Sequence, residues 1–373
     1  MKRIIYITIL AFLFLAGCTK PSAAPAPTPE QYDRYIFFSH SVETKATLVE
    51  KATDMNGKDF GVVGFKYDEN TDWATFSTTE VNGNLPKPNV FYDDDNTTLV
   101  DVETVGVDGT TAKYTPLQGW SNNKKYAFFA FYPMPNANVT LANLDGSTPY
   151  AGGAPAVKYT MDAPAASTEG AADGTAFKAS MIDVITADHI DQYWTSEGKS
   201  FTNTDSDDFV LNFKHRLSAL GVSITNSSSG DIEIKSLTLT ISGIKYLSTI
   251  IPLDGSAQTP EELAEEKKVP ETTFTINIAD DEKSIATKST EPTKIKDNLI
   301  FIPQTQNISI NLSMVYTDPY SDSDITKVIT DLTTPLDEGK QHMVQLNYVN
   351  YNTFTVTIDG WDTPNNSIDH EFN

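Results

Sequence analysis

Along most of its length the chain alternates apolar and polar residues with a period of two, in short runs separated by clusters of Asn, Asp, Gly and Pro. Near the C-terminus, for example, Phe354, Val356 and Ile358 fall on one side of such a run, and Thr353, Thr355 and Thr357 on the other. Successive side chains of a strand point to opposite faces, so this pattern predicts antiparallel sheets with one buried face. Runs rich in Val, Ile, Thr, Tyr and Phe predict strands at Tyr35–Ser41, Phe60–Tyr67, Thr98–Val105, Tyr126–Tyr132, Phe209–Phe213, Leu220–Thr225 and Ile232–Ser242. Others follow at Thr273–Ile278, Leu299–Ile302, Ile308–Tyr316, His342–Val349 and Thr353–Ile358. In Tyr126–Pro133 the aromatic residues occupy both faces, which predicts a central strand buried on two sides and stopped by Pro133. A helical signal stands at Pro260–Lys267, where Thr259 can cap, Pro260 suits the first turn and Glu262 completes a capping box. The predicted fold class is all-β, with one short helix in a surface insertion.

The ends of the chain follow other rules. Met1-Lys2-Arg3 is basic, Ile4–Phe14 is apolar, and Leu15-Ala16-Gly17 leads to Cys18, the only cysteine of the 373 residues. The apolar run is too short to span a bilayer, which takes ~20 residues. Small residues ahead of a lone cysteine instead predict a lipoprotein signal peptide over residues 1–17, with Cys18 acylated at the new N-terminus. Residues 18–31 alternate proline with small side chains and predict an extended tether. A polar stretch, Thr202–Asp208, precedes a fresh apolar run at Phe209. It predicts an N-terminal domain over 32–205 and a C-terminal domain over 206–373. Asn143–Ser180, rich in Gly, Ala, Pro and Ser, reads as a long loop, and no Lys-Ser/Thr follows Gly152-Gly153 to make it a phosphate cradle.

Charge and composition narrow the chemistry. The formal net charge is −23, and loss of Lys2 and Arg3 with the leader makes the exported chain more acidic still. Phosphate backbones repel such a chain, so no nucleic-acid partner is expected. A second cysteine is lacking, so no intramolecular disulfide holds the fold, and 39% hydrophobic residues supply material for two cores. His40, His189, His215, His342 and His370 nowhere stand at metal-ligand spacing, so no metal and no cofactor is expected. Asp93-Asp94-Asp95-Asn96 and Asp205-Ser206-Asp207-Asp208 lack the ligand spacing of a calcium loop and read as solvated acidic turns. No nucleophile elbow or triad arrangement is present, and no catalytic residue is assigned. A pair of carboxylates working on a glycoside is defined by distance in space and has no signal in the sequence.

Several phrases, in order, resemble the Mfa-like fimbrillins of the Bacteroidetes, subunits of protease-assembled type V pili. They are Thr44-Lys45-Ala46, Tyr114-Thr115-Pro116 through Trp120 to Tyr126–Pro133, Asp183–Ala187, Phe213–Leu220, and Phe354 to Trp361. The resemblance implies two tandem transthyretin-like β-sandwich domains and a structural or adhesive subunit, exported as a lipoprotein to the outer membrane or cell surface. Its partners would be other subunits joined by β-strand addition, a processing protease, the outer membrane through the lipid anchor, and a host or bacterial surface receptor. In such pili a trypsin-like protease removes the first strand, and the groove left behind accepts a strand from a neighbour. Here Tyr35, Ile36, Phe37 and Phe38 form the removable strand. The cut must fall after it, yet the only arginines are Arg3, Arg34 and Arg216. Lys45 is then the first processing candidate and Lys51 the second. Phe354, Val356 and Ile358 supply the donor strand. Without cleavage, the chain would stay as a lipid-held anchor or accessory subunit.

The resemblance assigns Trp120 and Trp361 to packing and leaves Trp73 and Trp194, in polar surroundings, as candidates for stacking on sugars. An alternative function follows from them: a surface glycan-binding lipoprotein of a polysaccharide-uptake system. His215, beside Phe213 and Leu217, reads as a hydrogen-bonded structural histidine. Cys18→Ala is expected to accumulate as unprocessed precursor and to lose labelling by a fatty-acid analogue, with undiminished labelling excluding Cys18 as the acylated residue.

Overall fold

A computed structural model describes residues 35–42, 52–108, 111–161, 182–195, 198–200, 209–262, 272–276, 283–285, 292–321, 323–350 and 353–360. The first half contains strands β1 (Phe38–Val42), β2 (Asp59–Asp68), β3 (Glu103–Asp108), β4 (Thr111–Lys113), β5 (Lys124–Tyr132), β6 (Val139–Asn143), β7 (Pro155–Thr160), β8 (Ile185–Thr195) and β9 (Gly198–Ser200). The second half continues with β10 (Phe209–His215), β11 (Ser218–Asn226), β12 (Ile232–Ser242), β13 (Tyr246–Pro252), β14 (Thr259–Glu262), β15 (Thr272–Ile276) and β16 (Ser284–Ile285). It ends with β17 (Thr293–Phe301), β18 (Gln304–Asp318), β19 (Ser323–Leu336), β20 (Gln341–Asn350) and β21 (Thr353–Gly360). Helix is confined, among the described residues, to α1 (Trp73–Thr78) and one 3-10 turn at Ala52–Met55. The fold is all-β.

Four sheets carry these strands. The first runs β10-β1-β4-β3-β2-β5-β8-β9, and β10 also pairs with β8, so its hydrogen bonds close on themselves. Inside that ring lies a core containing Phe38, Phe60, Phe91, Val105, Tyr126, Phe128, Leu211 and Phe213. A second sheet, β14-β13-β7-β6, covers the outer face of β5, where Phe129 and Phe131 share a core with Val139, Val157, Tyr159 and Ile251. The remaining two sheets, β17-β11-β20-β21 and β15-β12-β18-β19, fill the rest of that core with residues such as Val222, Ile224, Leu239, Leu312, Val344 and Leu346. The two-sided burial expected of Tyr126–Tyr132 is thus realised: Tyr126, Phe128 and Ala130 face one core while Ala127, Phe129 and Phe131 face the other.

The structure corrects the sequence reading in three places. Thr259–Glu262 forms strand β14 against β13, with Thr259 opposite Ile250 and Glu261 opposite Ser248, so the expected helix does not begin there. Pro260 is tolerated because β14 is an edge strand, and a Glu261–Lys158 ion pair of 2.9 Å reaches across to β7. Residues 263–267 lie outside the described residues. Asn143–Ser180 is not one loop, since β7 runs through it with Val157 and Tyr159 fully buried; the small residues around them masked the alternation. Finally, only the end of Thr98–Val105 is strand, and Leu99 makes an isolated bridge to Tyr92.

The expected interdomain stretch Thr202–Asp208 lies outside the described residues. β10, just beyond it, completes the first sheet, and β13 joins β7, so strands after residue 206 finish sheets begun before it.

Close packing in the ring relies on Gly64 of β2, where a Cβ would lie 2.5 Å from the Phe91 ring and 3.0 Å from Val90. Overfilling a packed core costs about 1–3 kcal/mol. Gly64→Val is therefore expected to lower the denaturation midpoint by that order in urea unfolding, whereas Gly83→Val, at a turn with no atom within 4 Å, would act only through its positive φ.

Candidate functional site

The predicted removable segment sits in the wall of the ring. Strand β1 runs parallel to β10, with Phe38 opposite Phe209 and Val42 opposite Phe213, and antiparallel to β4, with Phe38 opposite Ala112. Upstream, Tyr35 bridges to Gly119, and Ile36 is fixed by both backbone groups: its N–H donates to the Gln118 carbonyl at 2.8 Å and its carbonyl accepts from the Tyr114 hydroxyl at 2.9 Å. The period of two puts Ile36, Phe38, His40 and Val42 inside, each less than a tenth exposed, while Phe37 is 39% exposed. Phe38 packs against Phe128 edge to face at 5.3 Å and against Tyr114 and Phe91 at 5.8 and 6.3 Å. Each buried apolar side chain of this row contributes about 1.5–3 kcal/mol relative to exposure. Removal of β1 would leave a slot walled by β4 and β10 and lined with those vacated positions.

Two ionisable groups are buried on the β3–β4 side of the ring. Burial pushes the Tyr114 phenol far above its ordinary range, so it remains a hydroxyl that can donate to Ile36. Glu103 begins β3 on the inward row with Val105 and Val107 and is buried. Desolvation, and then the Asp94 carboxylate, push its carboxyl up to about 7. It lines a cavity of about 450 Å³ with Tyr92, Asp93, Val102 and Tyr114.

The other candidates fall into structural places. Trp73 is buried in α1 and packs on Phe65, Phe129 and Tyr67, so it presents no face to a sugar; the polar residues around it in sequence conceal an apolar pocket. Trp120 is buried against Tyr126 at 4.7 Å, as the packing assignment requires. Trp194 lies on β8 opposite Lys199. Asp93 accepts from the backbone N–H of Thr97 and Thr98 and closes a turn. His215 Nδ1 is 2.9 Å from the buried Asp183 carboxylate. No group of three metal-binding side chains occurs among the described residues.

Cys18, the tether, Lys45, Lys51, Arg34 and Trp361 lie outside the described residues. β1 ends at Val42 and the next described residue is Ala52, so both lysines fall in the connection between them. Phe354, Val356 and Ile358 lie on β21, which among the described residues pairs only with β20, and Val356 is fully buried. The slot and β21 are thus in different sheets, and the structure does not bring them together within one chain. Sequence reasoning missed Tyr114, Gln118 and Glu103. A Tyr-x-x-x-Gln spacing in a turn carries no signal until Ile36 is placed beside it.

A family model described as fimbrillin-like matches residues 44–361. No curated protein matches the chain. Among solved structures, a candidate cell adhesion protein of Bacteroides ovatus aligns at 15% identity and a TM-score of 0.42, over 90% of this chain and 99% of that one. A candidate cell adhesion protein of Bacteroides uniformis aligns at 10% identity and 0.41, over 88% and 98%. A fimbrial assembly protein of Parabacteroides distasonis aligns at 10% and 0.30, over 91% and 99%.

Glu103 provides a test of the electrostatics on the β3 side of the ring. Its carboxyl titrates higher in the folded chain than in an unfolded one, so its contribution to stability is fully present below the ordinary carboxylate range and is lost as pH rises through about 7. Glu103→Gln is expected to melt above wild type at about pH 8 and level with it at about pH 4, as followed by thermal unfolding across that range.

Proposed function

The chain belongs to the fimbrillin-like family, and on that premise we propose that it is a structural or adhesive subunit of a surface fimbria whose β1 holds a slot until another subunit's strand replaces it. The observation that carries this reading is the placing of β1. It is short, is inserted between β4 and β10, and is followed by a connection containing Lys45 and Lys51. A cut after Lys45 would separate β1, the tether and the lipidated Cys18 from the rest of the chain in one step. A cut at Arg34 would release the tether and leave β1 in place, so a protease restricted to arginine does not open the slot.

An incoming strand would gain backbone hydrogen bonds to β4 and β10 and would fill the positions of Ile36, Phe38, His40 and Val42 with alternate side chains. The donor drawn from β21 has the same period, Phe354, Val356 and Ile358. Since β21 lies at the end of its sheet, its departure breaks one ladder, that to β20, and vacates the core position of Val356. The bonds it surrenders there, and the burial of Val356, would be replaced in the neighbour's slot. A chain that escapes cleavage keeps its lipid and serves as an anchor or accessory subunit. The glycan-binding alternative draws no support from Trp73, which is buried.

The reading is tested on fibres and on the chains within them. Subunits recovered from fibre shafts are expected to begin at Ala46, and a Lys45→Gln, Lys51→Gln chain to remain membrane-bound and outside fibres. Intact Tyr35–Lys45 in shaft-derived chains would eliminate the cleavage branch.

A further inference from the structure

Loss of β1 has an unequal effect on the two walls of the slot. β4 remains paired with β3. β10 loses the partner of residues 209–213 and retains, as ladder pairs with β8, only Lys214 opposite Thr186 and His215 opposite Ile185. A strand held so briefly, with Leu211 and Phe213 newly bared along it, would swing toward β4 and shut the gap.

Two contacts made away from β1 oppose this. Where the β8–β10 ladder has opened, His189 of β8 reaches across and its Nε2 donates to the Val210 carbonyl at 2.6 Å. At the other end of β10 the guanidinium of Arg216, 3% exposed, grips three separate segments. Its Nε donates to Glu338 at 2.6 Å, Nη1 to Thr186 Oγ1 at 3.3 Å and to the Pro252 carbonyl at 3.1 Å, and Nη2 to the Ser256 carbonyl at 2.6 Å. The Arg216 backbone N–H adds a bond of 2.9 Å to Val184. A planar fork satisfied on several sides fixes direction as well as distance, which a lysine ammonium cannot do.

We propose that His189 and Arg216 are positioning residues for strand acceptance: they hold β10 at the spacing β1 leaves, so that the slot stays open for the incoming strand. The inference rests on the strand-exchange reading above. In the intact chain β1 itself pins β10, so the contribution of His189 becomes decisive only after cleavage. This separates a positioning role from a general structural one.

The test uses the full chain carrying a specific protease site between Val42 and Ala52, cut and then mixed with a fluorescent peptide of residues 35–42. Cut wild type is expected to take up the peptide. His189→Ala is expected to bind it about tenfold more weakly, a difference of the order of one short, part-buried hydrogen bond. His189→Gln, which restores an N–H donor, is expected to recover part of the loss, and Arg216→Lys to slow uptake. Before cutting, His189→Ala should melt close to wild type. Equal uptake by wild type, His189→Ala and Arg216→Lys overturns the inference, as does melting of uncut His189→Ala well below wild type. Absence of uptake by cut wild type instead removes the strand-exchange reading, and this inference with it.

Discussion

A buried backbone group needs a partner, and in the first sheet that need is met by closing the sheet upon itself through β1. The five residues of β1 join β10 to β4, and the hydrogen bonds around the ring pass through them. The same five residues carry part of the inner core, since Phe38 touches Phe91, Tyr114 and Phe128. One short strand therefore completes both the polar and the apolar accounting of the domain. A segment of that kind cannot be trimmed without a substitute, and any substitute must have the same alternation.

The polar groups around β1 are placed where the ladders end. Tyr114 and Gln118 hold Ile36 where β4 no longer reaches it, and His189 holds Val210 where β8 no longer reaches β10. Arg216 joins the end of β10 to the loop after β13 and to the turn before β20. Glu103 is the exception. It occupies an inward position that Val105 and Val107 fill with apolar side chains further along β3, and burial keeps its proton on up to about neutral pH.

Alternation made much of the fold legible. Ile232–Ser242 is strand β12 from end to end, and the two-sided burial of Tyr126–Tyr132 follows from its aromatic residues alone. Strands were missed where the period is broken or the burial slight. In β8 the positive φ of Asp191 and the register shift against β5 interrupt the pattern, and in β19 most side chains over Ser323–Ile329 are exposed, so Asp324, Thr326 and Lys327 look like loop. Thr259-Pro260-Glu261-Glu262 has the local chemistry of a helix start, yet pairing with β13 prevails. For the site, the inward row of Ile36 and Phe38 could be recognised from the sequence. Its holders could not, because Tyr114 is 78 residues from Ile36 and no local pattern connects them.

The pairing of β1 with β10 also orders events in time. The strand that must lie beside Phe38 to complete the ring is Phe209–His215, and a further partner, Arg216, must find Glu338 near the end of the chain. During synthesis the N-terminal residues emerge long before these. Contacts so distant in sequence form late, because the loop between them has to close first. The first sheet thus stays unfinished until most of the polypeptide has been made. That delay leaves the early strands, β1 among them, without their final partners through most of synthesis.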